Sequence, residues 1–234
     1  MNRSDRLVGN RLALAGTVLY FLEWVAIAFL PEVADGSLFG AEPEVVVAAY
    51  RGHSGVIAFA AGWFGVVLLG RVLFAVALRK AFLDSGRDSL LADFAVGAMI
   101  VSVTLEIASF GPAAAAGWLA DTRPDGSAIV ALEAAGSLLF FVGFVPIGVS
   151  ILAASAGMLG SDVFPRWLGV LGLFAGVAAM VGGIIQVAAL GSTGMLHDVG
   201  EPVTNVGAVG FWIWLVATSI ILWRHAPRRD RTKA

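Results

Sequence analysis

The sequence predicts an all-α membrane protein, six transmembrane helices in one bundle, on three observations. Of its 234 residues 59% are hydrophobic and only 14% charged, where soluble domains carry about 25% charged residues. Between the charge clusters lie apolar runs at 12–30, 54–78, 91–111, 128–154, 166–190 and 205–223, each near the length of about 20 residues that crosses a bilayer as a helix. Lys and Arg also alternate from one connection to the next. One transmembrane domain, 1–234, accounts for the whole chain and leaves no room for a folded soluble domain.

Span one follows Arg3, Arg6 and Arg11. Glu23 interrupts its apolar run and no small-residue cleavage site follows, so it reads as an uncleaved span. The next connection, 31–51, is acidic, and Pro43-Glu44 looks like the first turn of a short helix leading into span two. Span two ends at Arg79-Lys80, before a basic loop with Arg87. Span three leads to a loop with Arg123 between Asp121 and Asp125, and span four carries Pro146, expected to kink it and free a carbonyl. Span five opens at Pro165-Arg166-Trp167. Its Gly169, Gly172, Gly176, Ala179, Gly183 and Gln186 recur at steps of three and four, so one face is small enough for a neighbouring helix to approach closely, as an interior helix requires. Span six is followed by a basic tail, 224–234.

The N-terminus, the second and fourth loops and the tail hold twelve Lys and Arg, the other three loops hold two, and Arg71 lies within a span. The positive-inside rule then places both termini in the cytoplasm, which requires an even number of spans. Trp118, Trp167 and Trp223 fall near the interfaces, where amphipathic rings collect. Arginine outnumbers lysine thirteen to two, and Ala and Gly are abundant, which points to a GC-rich bacterium and its cytoplasmic membrane.

A charge at the bilayer centre costs about 3 kcal/mol even on a lenient scale, so each needs a partner, a neutral form or a role. Glu23 lies near the middle of span one, with Tyr20 and Ile27 on its face. Glu106 shares a face of span three with Ser102 and Ser109. Glu133, with Ser137 one turn further, lies in the outer part of span four, and Gln186 and Asn205 approach the same level on spans five and six. These five residues come from five helices; converging, they would line a ligand-binding pocket open to the extracytoplasmic side. Arg71 either snorkels toward the cytoplasm from two turns inside Arg79-Lys80 or forms an ion pair with Glu23 or Asp93. His53 shares its face at the outer end of span two.

The net charge of −2 and the apolar composition argue against nucleic acid as a partner, and with no cysteine there is no disulfide, thiolate nucleophile or Cys-ligated metal. Zinc-protease, serine-hydrolase and P-loop signatures are missing. Three histidines on two sides of the membrane build no haem site, and the two lysines lie outside the membrane core. No cofactor is expected. His197, Asp198 and Glu201, with His53, are the one set of metal-ligating types, and they read as a solvated Gly-rich loop.

Phe164-Pro165-Arg166-Trp167-Leu168-Gly169, followed by Val170-Leu171-Gly172 and Ala175-Gly176, resembles the entrance to the fifth span in a large group of uncharacterised bacterial integral membrane proteins; Gly16 through Tyr20 resemble their first span more loosely. The resemblance implies a six-helix bundle in the cytoplasmic membrane and brings no activity, cofactor or catalytic residue. The expected function is binding or transport of a cation, proton or small polar solute from the extracytoplasmic side. A non-catalytic accessory subunit with a membrane protein partner or a second copy is the alternative, and a lipid-modifying membrane enzyme a third.

Overall fold

Where no water can pair with the backbone, an apolar chain satisfies its N–H and C=O groups within each segment, as a helix. The computed structural model describes residues 3–30, 38, 41–86, 90–123, 125–189 and 195–224, with backbone alone at 3–10 and 195–198. Among these residues every regular element is a helix: α1 (Arg3–Phe21), α2 (Glu23–Ile27), α3 (Pro43–Tyr50), α4 (Ser54–Val67), α5 (Leu69–Asp84), α6 (Leu90–Thr122), α7 (Gly126–Leu159), α8 (Arg166–Ala188) and α9 (Met195–Arg224). Five stretches, Ser54–Asp84, Leu90–Thr122, Gly126–Leu159, Arg166–Ala188 and Val199–Arg224, are long and apolar enough to cross a membrane. The fold is that of a multi-pass helical membrane protein. The expected first span corresponds to α1 and α2, which follow one another across a break at Leu22.

The helices close a ring: α6 packs on α7, α7 on α8, α8 on α9, α9 on α1, α1 on α5, and α4 and α5 on α6. Small residues set the tightest crossings. A Cβ on Gly16 would lie 2.6 Å from the Gly70 carbonyl oxygen and 2.7 Å from the Phe74 nitrogen, so α1 and α5 touch backbone to backbone, in the small-residue manner of helix contacts in lipid. Gly148 and Gly176 do the same for α7 and α8.

The small face of α8 is buried as expected, but α8 is not an interior helix. Val170, Phe174, Val177, Val181 and Ile184 are exposed along its other side. Glycine and alanine clamp it between α7 and α9 while its branched and aromatic residues face lipid. Trp118, Trp167 and Trp223 are more than half exposed, as interface anchors are.

The two ends of the ring are filled differently. Toward the end that carries Ala13, Phe82, Leu168 and Leu222, one apolar cluster closes the interior, built on Phe74, Met99, Ile151, Met158, Trp214 and Leu215. At the opposite end α3 caps α6 and α7, and Leu38, Val46 and Tyr50 pack with Ile57, Ala116, Ala120 and Ile129. The space between is not filled.

Two helices on the wall of that space are interrupted. At Leu22 the amide of Val25 donates to the Leu22 carbonyl, and at Leu68 the amide of Arg71 donates to the Leu68 carbonyl, both at 3.1 Å and three residues apart. These are tightened 3₁₀-type turns, which within a long helix often mark a functional site. The Leu22 carbonyl also accepts the Trp63 indole N–H at 2.8 Å. Pro146, by contrast, leaves α7 helical throughout.

Candidate functional site

The ring encloses a cavity of about 500 Å³, and Glu23, Glu106, Gln186 and Asn205 all line it, with Arg71. Four of the five expected ligand-binding residues therefore converge. Each comes from a different helix, and helical spacing aims it inward: Glu23 opens α2 just after the break at Leu22, Glu106 lies one turn beyond Ser102 on α6, Gln186 ends the small face of α8, and Asn205 sits three turns from the top of α9. Glu23 and Gln186 are buried, and Asn205 is exposed. Glu201, also exposed, lines the cavity one turn from Asn205. These two mark the mouth, at the end away from the apolar closure.

Arg71 corrects its expected placement. It does not snorkel: at 3% exposure it is buried, and its Nη2 donates to Glu106 Oε2 rather than to Glu23 or Asp93. Asp93 is taken instead by Arg79. The reason lies in packing: α5 lies against α1 and α6, which turns Arg71 inward toward Tyr20 and Glu106 rather than along the helix to its basic end. The guanidinium carbon also lies 5.1 Å from the centre of the Tyr20 ring, within cation–π range. Tyr20 links the rest: its hydroxyl accepts the Trp212 indole N–H at 2.9 Å, and it lines the cavity beside Glu23, one turn on. Arg71 and Glu106 thus neutralise each other, and Glu23 stands outside that pair. Arg71 Nε is buried without a hydrogen-bond partner.

Glu133 is the exception. It is buried on α7, but its carboxylate accepts from the Tyr50 hydroxyl and from Ser137 Oγ, the latter at 2.8 Å. It lines a separate cavity of about 50 Å³ between α4, α6 and α7. Phe110 and Phe140 stand on the walls of both cavities. Glu133 docks α3 through Tyr50 and does not join the central cluster.

Of the four outer residues of metal-ligating type, only His53 and Glu201 have side chains among the described residues. Among the described residues no group of three His, Asp or Glu side chains is placed to hold a metal. His53 is at the start of α4, with Nδ1 3.2 Å from the Ala49 carbonyl, and Glu201 is at the cavity mouth. The side chains of His197 and Asp198 lie outside the described residues, but their backbone belongs to the first turns of α9 and not to a loop. The loop carboxylates Glu32 and Asp35, Arg87 and the tail beyond Arg224 are outside the described residues as well.

What the polar residues did not reveal is the character of the remaining wall. Phe64, Phe110, Phe140, Phe141, Phe144 and Phe211 turn their rings on the cavity with Trp212, and Phe64 and Phe110 stack at 4.4 Å. In a membrane helix phenylalanine carries no signal, because a lipid-facing ring and a cavity-facing ring look the same. A volume of this size, rich in aromatic side chains and bearing a few converging polar groups, is what small-molecule sites share. No protein-family model matches the chain, and neither a curated protein nor a solved structure shows significant similarity to it.

Proposed function

We propose that the protein binds and transports a cation, proton or small polar solute that reaches the central cavity from the extracytoplasmic side. In this reading the chain has six spans, α1 with α2 being the first, and both termini lie in the cytoplasm of a bacterium, in the arrangement of the uncharacterised membrane proteins that its Pro-Arg-Trp-Leu-Gly stretch resembles. The observation that carries the proposal is the meeting of Glu23, Glu106, Gln186 and Asn205 on one cavity whose opposite end is packed shut. Ionisable residues within a membrane bundle commonly line solute pathways. The breaks at Leu22 and Leu68 add support, since transporters often form their sites from interrupted helices near mid-membrane.

The test is thermal unfolding of the detergent-purified protein over pH and a panel of cations and polar solutes, for wild type and Glu23→Gln. A ligand of the folded state stabilises by about 2.7 kcal/mol at a hundred times its dissociation constant. The expected result is a wild-type rise in Tm that the variant loses. An unresponsive wild type, with Glu23→Gln changing only baseline stability, would leave the carboxylates as interhelical glue, as in an accessory subunit.

A further inference from the structure

Four properties of the cavity constrain what it can hold. Its volume of about 500 Å³ falls in the range of about 300–1,000 Å³ typical of small organic ligands. A bare metal ion is instead held in a tight shell of oxygen or nitrogen atoms, six to eight oxygens for calcium, and no three-residue metal-ligating group forms among the described residues. The wall carries three carboxylates, Glu23, Glu106 and Glu201, and one guanidinium. Arg71 and Glu106 are spent on each other, which leaves one deep carboxylate, Glu23, and one at the mouth, Glu201. An anion meets net repulsion there, and a neutral hydrocarbon leaves Glu23 facing an apolar ligand at a desolvation cost. Finally, the aromatic faces around Glu23 attract positive charge directly. Trp212 and Tyr20, joined by their hydrogen bond, stand beside it. Arg71 Nε, buried and without a partner in the same wall, is a donor that a water or a ligand acceptor would satisfy.

Resting on the proposed binding function, we infer that the cavity's ligand is an organic monocation with an apolar or aromatic body, its charge against Glu23 and its body against the phenylalanine wall. Glu201 at the mouth draws it in, as clefts lined by one sign of charge do for oppositely charged solutes.

Binding is measured by equilibrium dialysis on the whole protein in a non-ionic detergent, with three probes that separate charge from body: tetraphenylphosphonium, neutral triphenylphosphine oxide, and tetramethylammonium. Tetraphenylphosphonium is expected to saturate at one per chain, with the other two at least tenfold weaker. Glu23→Gln should weaken it by about tenfold or more, as neutralising one partner of a desolvated charge pair does. Glu201→Gln, at an exposed position where folding is not at stake, should weaken it less and reduce its salt dependence. Glu133→Gln, in the separate cavity, should leave it unchanged. Equal binding of the phosphine oxide overturns the inference, as does saturable tetraphenylphosphonium binding that both Glu23→Gln and Glu201→Gln leave intact. Stabilisation by sodium, protons or tetramethylammonium with no tetraphenylphosphonium binding also overturns it while leaving the broader binding function standing. A wild type that responds to no probe, cation or pH change removes both.

Discussion

Trp212 and Trp214 stand two residues apart on α9 and do opposite things. Trp212 is half-buried on the cavity wall, its N–H satisfied by Tyr20. Trp214 is 1% exposed in the closed half, edge-on to Phe74 at 5.6 Å, and its N–H has no hydrogen-bond partner. The same contrast runs through α5, where Arg71 faces the cavity and Phe74, three residues on, fills the core. α5 and α9 each contribute to both halves, so the difference is made by side chains at a given level of the helix and not by separate domains. In the closed half, size and shape do the work. In the cavity half, polar groups hold one another in place around a space left open. That division predicts that the halves respond to different insults.

The largest effect should come from Arg71→Met, which leaves the part-buried Glu106 carboxylate unpaired on the cavity wall. Breaking one side of a buried ion pair costs about 3–5 kcal/mol, whereas replacing both sides is often close to neutral. The double variant Arg71→Met/Glu106→Gln should therefore be more stable than Arg71→Met alone, measured by unfolding in mixed micelles. Additive losses would mean that the pair is not the unit holding the cavity wall.

Trp214→Ala attacks the other half. In lipid the transfer contribution of an apolar side chain is small, but the void it leaves still costs dispersion contacts, so the lower end of the range for large-to-small changes applies, about 3 kcal/mol. The response to cations should survive, because the ring lies outside the cavity wall. A lost cation response at retained folding would merge the two halves into one unit.

Much of this arrangement is legible in the sequence, and the illegible part has physical causes. Glu23, Glu106, Gln186 and Asn205 stand out because polar groups in an apolar run demand an explanation, and the run lengths fix their depths. Depth alone does not fix azimuth, which is why Glu133 seemed to belong with them. Its partner, Tyr50, comes from a short helix outside the long spans, and nothing in Val45-Val46-Val47-Ala48-Ala49-Tyr50 announces that its hydroxyl will be buried against a carboxylate. Azimuth likewise hides the partner of Arg71, because which carboxylate it meets depends on how α5 packs against α6, and that packing brings it to Glu106.

The smallest effect probes the cavity half from its exposed end. Asp125 caps α7: its Oδ1 accepts from Ser127 Oγ at 2.7 Å, and from the amides of Ser127 at 3.1 Å and Ala128 at 3.3 Å. The Ser127 hydroxyl first, then the amides, hold its carboxyl below the ordinary aspartate value. A group lowered in the folded state stabilises it above the unfolded pKa of about 3.9 and loses that contribution as pH falls through the lower folded value. Asp125→Ala should thus reduce Tm slightly at neutral pH, and the gap to wild type should close below about pH 4. Because Asp125 is exposed and far from the closed half, the loss should also leave Trp214 fluorescence unshifted in the folded protein. A gap that stays constant down to low pH would assign the effect to the backbone at Asp125 rather than to its charge, and the cavity end of α7 would then be held by α3 and Glu133 instead of by its cap.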